Sequence, residues 1–514
     1  MCPRPQVPML LLVLTACQPG EGGKETGDTA PDSGTHSDTD TDSSGDTDTS
    51  GDTDTGGDSG WSAGVSGYLT TWDGPSHGSD APVAIAVDGD GQAWVAGLAY
   101  DAVTGQSDLA LVKHTAAGEV AWSATWDGPD HDADYAHALA LDPGGDAILA
   151  GRTTRADGSS DAILFRYAPD GTVEWSVTYD GGVGDDAFFQ VLVLDDGDIV
   201  ATGTSTHRPS AVGAGQDFLV VRYAPDGTQR WLRTWDGEAD NRDVVYASAP
   251  DGESGVVVSG TSGTVPEDGS GITGDDWLTI RWSADGDELW TARYRDPELP
   301  ETWGQTPHAV ARDSAGRFVV GGWVASTGLG DALLIQYDTD GQERWQARYT
   351  APLGCMDGVV AMGVDAEDAV YVAGTATVGD DGYQFLEDYV LAKYDANGAE
   401  VWSRTLDGPA GLADHLLGAT ITPEGRAFVT GLGNYDVNTG ASDSLTARYE
   451  ADGALAWKVV HNDPGAGEME LAVEVGTALA LGPGGALHVT GYVGHDPEQP
   501  GVVDFVTMGD LRGE

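Results

Sequence analysis

The sequence predicts an all-β protein, an eight-bladed β-propeller of four-stranded blades closed by an N-terminal strand that completes the last blade. Three recurring markers carry this reading. An aromatic residue stands four positions after a turn glycine in nearly every copy, giving Tyr68, Trp122, Trp175, Trp231, Trp290, Trp345, Trp402 and Trp457 at intervals of 53–59 residues. An aspartate stands 14 residues before each tryptophan, at Asp108, Asp161, Asp217, Asp276, Asp331, Asp388 and Asp443, and an eighth, Asp504, has ten residues after it. A glycine closes an earlier apolar segment in every copy, from Gly97 and Gly151 through to Gly431 and Gly491. Units of about 55 residues, each with four short strands and repeated around a ring, are the signature of a propeller.

The elements follow in order from the first full copy. Val83 to Val87 is a strand, Asp88-Gly89-Asp90-Gly91 a turn, and Ala93 to Gly97 a second strand. A longer loop leads to Leu109–His114, a tight turn ending at Gly118, and a fourth strand over Val120–Trp126. The tight turns carry the Pro, Asp, Asn and Gly residues that hairpins need, as in Ala224-Pro225-Asp226-Gly227. No long stretch has a 3.6-residue apolar period, so helix should be negligible. The last copy stops before its fourth strand, and the folded region begins with an orphan strand, about Gly64 to Trp72, that contains Tyr68. Joining the two closes the ring and removes exposed edges. The repeated aspartates read as turn-bonding strand starters and the repeated tryptophans as packing between blades.

Charge divides the chain. The whole carries −60, with 84 acidic and 24 basic residues, which argues against nucleic acid as a partner. Residues 1–20 carry +1 and residues 21–60 carry −11, which leaves −50 for residues 61–514. Arg4 precedes a short apolar run, Val7 to Leu14, which is the core of an export signal and too short for a spanning helix. Leu14-Thr15-Ala16-Cys17 resembles the lipobox of bacterial lipoproteins. That resemblance implies a signal peptide over 1–16 and lipidation of Cys17, and hence a membrane partner through the lipid. By resemblance to enteric lipoproteins, in which an aspartate after the lipobox cysteine retains the protein at the inner membrane, Gln18 implies the outer membrane or cell surface of a Gram-negative bacterium. Residues 17–60 then form a lipid-anchored acidic linker of Gly, Ser, Thr and Asp, expected to be disordered and extended. Residues 61–514 form the propeller.

The segments "AVDGDGQAWVAG", "GVDAEDAVYVAG" and "TPEGRAFVTG", with "RYAPDGTVEWSVTYDG" and "KYDANGAEVWSRTLDG", resemble the bacterial SBBP-type β-propeller repeat over about residues 64–514. The resemblance implies the fold and says almost nothing of function. Turn-then-tryptophan is also similar to eight-bladed quinoprotein-type propellers, whose adjacent cysteine pair is missing.

Loops joining first to second and third to fourth strands share one face of a propeller, and there the spacing is uniform. On the other face the span from Gly97-type glycine to Asp108-type aspartate varies from 9 to 16 residues, and the connections at Arg295–Thr306 and His461–Val473 are expanded. Variable loops on a regular scaffold are where binding concentrates. A polar residue precedes each first strand: Asp80, Asp134, Asp186, Asp243, Gln305, Asp357, Asp414 and Glu474. Two readings stand for the seven carboxylates. Each caps its own strand and faces solvent, or together they ring one mouth of the channel and take a cation, for which calcium suits oxygen ligands. His137 and His308 share a repeat position, and no H-E-x-x-H, G-x-S-x-G or phosphate-binding loop appears. The expectation is a non-catalytic binding or scaffold module for an envelope or extracellular protein or glycan. A quinone- or metal-dependent enzyme and an outer-membrane assembly scaffold are its alternatives.

Overall fold

The computed structural model describes residues 65–513, apart from 102, 209–214, 238–241, 264–274, 298–303, 327–328, 351–355, 381–384, 409–410, 436–441, 462–473 and 494–503. The lipidation site Cys17, the signal and the linker lie outside the described residues. So do the side chains of Asp357, Glu474 and Asp504.

The strands form eight four-stranded antiparallel sheets. Blade 1 spans Ala81–Trp126, blade 2 Asp134–Tyr179, blade 3 Ala187–Trp235 and blade 4 Asp243–Tyr294. Blade 5 spans Gln305–Tyr349, blade 6 Met356–Leu406 and blade 7 Ala413–His461. Blade 8 takes its first three strands from Glu474–Leu481, Leu487–Val493 and Asp504–Gly513, and its fourth from Val65–Trp72. Trp72 pairs in register with Phe505, their rings 4.9 Å apart, so the two ends of the ring are sewn by a full antiparallel ladder. Among the described residues the one helical element is a single 3-10 turn, Pro483–Gly485.

The apolar core is divided among the blade interfaces. One cluster joins Trp94, Leu109 and Leu111 of blade 1 to Leu149, Ile163 and Phe165 of blade 2. The closing interface packs Val95 and Ala110 of blade 1 against Phe505 of blade 8. This arrangement makes each blade depend on both neighbours, because a lone twisted sheet of four strands cannot bury both faces.

Two of the sequence markers acquire a physical cause. Every first strand carries a one-residue bulge at the same place, for instance between Pro82 and Ala84 and between Ala136 and Ala138. The second-strand glycine pairs with the residue just before the bulge, as Gly97 does with Pro82 and Gly151 with Ala136. There a Cβ would overlap the first-strand carbonyl of Ala81 or Tyr135, so only glycine fits. The turn glycine serves the next contact outward. Gly227 has a φ of +82° and lies against the ring of Trp175 from the preceding blade, where an added Cβ would sit 2.9 Å from the indole. The same indole donates its Nε1–H to the carbonyl of Pro225 in that turn at 3.0 Å. Trp122, Trp231, Trp290, Trp345 and Trp402 donate likewise to Pro169, Ala284, Thr339, Ala396 and Ala451 of the following blade. Tryptophan and glycine are therefore two halves of one contact, repeated from blade to blade.

Candidate functional site

The two faces are built differently. Every first-to-second and third-to-fourth connection is a five-residue loop, such as 88–92 and 115–119. They share a backbone pattern in which Gly91 donates to the Asp88 carbonyl at 3.0 Å and Asp88 donates to Gln92 at 3.0 Å, with loop 251–255 making the second of these bonds. The opposite face carries second-to-third loops whose strand ends stand as close as Ser326 and Leu329 or as far as Gly263 and Asp275. The fourth-to-first connections on that face also vary, from Tyr349–Met356 to His461–Glu474.

The polar residues ahead of the first strands sit at the root of this variable face. Asp80, Asp134, Asp186, Asp243 and Asp414 are all fully buried, so none of them faces solvent. Each accepts the N–H of the glycine that ends the preceding blade, from Gly74, Gly128, Gly181, Gly237 and Gly408 at 2.5–2.8 Å. Four also accept a second-strand N–H of their own blade, from Tyr100, Thr154, Thr206 and Asn434 at 2.7–3.3 Å. In blade 5 Gln305 does the equivalent, its Oε1 accepting from Asp296 at 3.2 Å. These side chains staple a blade-to-blade connection to the strand behind it.

They do not stand alone. Asp134 lies beside Asp108 from the third strand of the preceding blade and Asp127 from the end of its fourth strand, with carboxylate oxygens within 4.8 Å of one another. Asp161, Asp180 and Asp186 make the same group, as do Asp217, Asp236 and Asp243, and Asp388, Asp407 and Asp414. Burial pushes the carboxyls of Asp108, Asp134, Asp243 and Asp414 up to about 6. Burial with the charges of Asp407 and Asp414 pushes Asp388 up to about 7. Asp134, Asp186, Asp243 and Asp414 thus group with partners at their own blade junction. Among the described residues no such group links the first-strand aspartates of successive blades into a ring.

The third-strand aspartates of the remaining junctions meet cations or amides. Asp276 pairs with Arg295 at 2.6 Å and Arg293 at 3.3 Å, Asp331 with Arg348 at 3.4 Å, and Asp443 accepts from Asn434 at 2.6 Å. The third member of each triad, Asp127, Asp180, Asp236 or Asp407, escaped the sequence reading. Its signal was present, since an aspartate falls five residues after the aromatic marker in five of eight copies.

His137 and His308 occupy the bulges of blades 2 and 5. His137 meets Phe189 edge-on at 5.2 Å, and burial pushes its imidazole down to about 3. His308 lies 6.1 Å from Tyr246 and its Nδ1 is 2.8 Å from the Val359 carbonyl, with burial again lowering its basicity. Both are packing residues of the inner strands, held apart by the aromatic bulge residues of blades 3 and 4.

The family model described as "Domain of unknown function (DUF5122) beta-propeller" matches residues 148–174, from the second strand of blade 2 to the start of its fourth. No curated protein matches the chain. Among solved structures the chain is similar to Sqt1 from Chaetomium thermophilum, at 12% identity over 85% of this chain and 98% of that one, with a TM-score of 0.49. It is also similar to a PL25 ulvan lyase, at 11% identity over 87% and 94% with a TM-score of 0.41. A third is Pyrococcus horikoshii acylaminoacyl peptidase, at 10% identity over 84% of this chain and 60% of that one, with a TM-score of 0.42.

Proposed function

We propose that the chain is an exported cell-envelope lipoprotein, anchored through Cys17 and displaying its propeller on an acidic tether as a non-catalytic binding module. Its ligand, an envelope or extracellular protein or glycan, sits on the variable-loop face. The observation that carries this reading is the asymmetry of the faces. One is an array of identical five-residue turns, and the other sets loops of unequal length on a rigid frame of stapled junctions. Rigid scaffold with divergent loops is the arrangement by which repeat folds acquire partners. Lipidation at Cys17 fits this role, because multiple acyl chains give stable anchoring where one does not.

The test is capture from envelope fractions by the full chain against a variant whose loop 155–159 and connection 127–133 are replaced by Gly/Ser of equal length. A partner retained by the wild type should be lost from this variant and kept when the opposite-face loop 88–92 is replaced. An unchanged set of captured molecules in both variants would refute the reading. A Cys17→Ser chain should leave the membrane fraction.

A further inference from the structure

Blade 2 departs from the other seven at one position of its second strand. The residue after the marker glycine is Leu98, Thr204, Thr261, Trp323, Thr375, Leu432 or Tyr492 elsewhere, and in blade 2 it is Arg152. Side chains alternate between the two sides of a strand. Ile148 and Ala150, on the same side as Arg152, pack with Phe188 and Val191 of blade 3. Arg152 therefore continues that packed side to the variable face, at the junction with blade 3. Its guanidinium carbon lies 4.4 Å from the ring centre of Tyr135, its partner in register.

This charge meets no counter-ion. In a chain with 84 acidic residues, Arg152 makes no hydrogen bond and no ion pair among the described residues, and its Nε is buried without an acceptor. The other cations of the blade are engaged. Arg166 holds Asp142 and Asp146, and Arg155 takes Asp161 and Asp180. Stacking on Tyr135 occupies the face of the guanidinium and leaves the N–H groups at its edge unsatisfied. A buried N–H without an acceptor is costly.

A second unsatisfied nitrogen belongs to the same junction. His137, at the first-strand bulge of blade 2, meets Phe189 of blade 3 edge-on at 5.2 Å, and its buried Nε2 has no partner. Burial, and after it the charge of Arg152, lowers the basicity of this imidazole, so the ring is neutral near a fixed cation. A neutral imidazole carries one N–H, which either ring nitrogen can hold. Two strands thus bring unused donors and a single net positive charge to one place.

We propose that Arg152 and His137 bind the carboxylate group of a small organic acid, whose apolar or planar body lies against Phe189. Such an anion gives an acceptor to both unsatisfied nitrogens, and its two oxygens match the planar fork of a guanidinium. One carboxylate balances one guanidinium, whereas sulfate or a phosphate dianion would add excess negative charge to a chain that already carries −60. Both residues belong to strands and neither to a variable connection. This site and the partner capture proposed above can therefore fail separately.

The test titrates the full chain with para-fluorobenzoate, followed by its fluorine resonance. The line should broaden saturably, and that of uncharged para-fluorobenzyl alcohol should stay sharp. Acetate, which lacks the ring, should displace the probe only at about tenfold higher concentration than benzoate. Arg152→Gln should weaken binding about 10-fold to 100-fold, the worth of a charge-assisted hydrogen bond. Arg152→Lys, which keeps the charge and loses the fork, should fall between that variant and the wild type. His137→Phe, which keeps the ring packing and loses Nε2, should weaken binding about fivefold. Melting curves of the variants check that the ring is intact. The proposal is overturned if neither benzoate nor acetate binds the wild type, or if both Arg152 variants bind as tightly as it does. Displacement by acetate and benzoate at equal concentration would overturn the place given to Phe189.

Discussion

The two faces of this propeller treat the same residue in opposite ways. On the turn face, aspartates of the first-to-second loops meet a cation from the third strand. Arg166 pairs with Asp142 and Asp146 at 2.5 and 2.6 Å, Arg222 with Asp196 and Asp198 at 2.5 and 2.7 Å, and Arg281 with Asp251 at 2.9 Å. Lys393 pairs with Asp365 at 3.2 Å. Each of these cations also donates to a turn carbonyl of the next blade, as Arg222 does to Ala284 at 3.0 Å. On the loop face three aspartates converge at four of the junctions, where the ligand atoms lie within 4.8 Å. On the turn face these aspartates are neutralised by third-strand cations, whereas at the loop-face triads carboxylates stand beside one another, with Arg155 serving the group of Asp161, Asp180 and Asp186. The cations of the turn face make it a clamp between successive blades.

The heaviest blow to the comparison falls on the clamp. Arg222 has a side chain only 3% exposed, and it holds two carboxylates and the Ala284 carbonyl together. Arg222→Ala would bury Asp198, itself 4% exposed at the side chain, with one partner fewer. Breaking a buried ion pair on one side costs about 3–5 kcal/mol. Urea denaturation should show a loss of that order. A loss below about 1 kcal/mol, the value of an exposed pair, would mean the turn face is not a clamp.

What the sequence made legible was whatever repeats within one chain segment. The aspartate-to-tryptophan spacing is the third strand, a five-residue turn and half of the fourth strand, all local, so the eightfold period and the closing strand could be read directly. The first-copy strands agree too, with Val120–Trp126 identical in sequence reading and structure and the others longer by two to four residues at one end. The junction triads were harder because each draws two residues from one blade and one from the next. Asp127, Asp236 and Asp407 sit in a Trp-Asp-Gly or Leu-Asp-Gly turn where aspartate has an ordinary turn role, and only closure of the sheet against its neighbour brings them beside Asp134, Asp243 and Asp414. The clamp cations were missed for a similar reason. Arg166 and Arg222 each follow a short apolar run of the third strand, and their aspartates lie 24 residues upstream in the first-to-second loops.

A smaller effect would appear where the clamp has to cross the ring closure. At the seam between blades 8 and 1, His114 is 1% exposed and burial, with the neighbouring His488, pushes its imidazole down to about 4. His488 in turn lies 3.2 Å from the hydroxyl of Tyr68 on the closing strand. The unfolded chain takes up a proton on this histidine near pH 6.5, while the folded chain resists until about 4. Stability contributed here is therefore full above the unfolded value and falls as pH drops through that window. Between pH 7.5 and 5 the loss attributable to one such group is about 2 kcal/mol. A His114→Gln chain should lose less stability than the wild type over that interval, and equal slopes would exclude the seam as an acid-sensitive point.

The finest discrimination within the clamp concerns a single indole. Trp175 donates to the Pro225 carbonyl at 3.0 Å across an interface where a continuous hairpin faces it. Trp457 of blade 7 occupies the same repeat position, but its neighbour, blade 8, has no hairpin joining third to fourth strand, because those strands are Asp504–Gly513 and Val65–Trp72. Among the described residues its buried Nε1 accordingly finds no acceptor. Replacing each by phenylalanine removes one N–H donor and some ring area from both sites, so the area term largely cancels in the difference. Trp175→Phe leaves a carbonyl short of a partner and should cost about 1 kcal/mol more than Trp457→Phe, the net worth of a typical hydrogen bond. Trp457→Phe also deletes a buried donor that was already unsatisfied, which offsets part of its lost packing. Paired urea titrations of the two variants decide the matter, and an equal or larger loss at Trp457 would show that the closing blade supplies the acceptor after all.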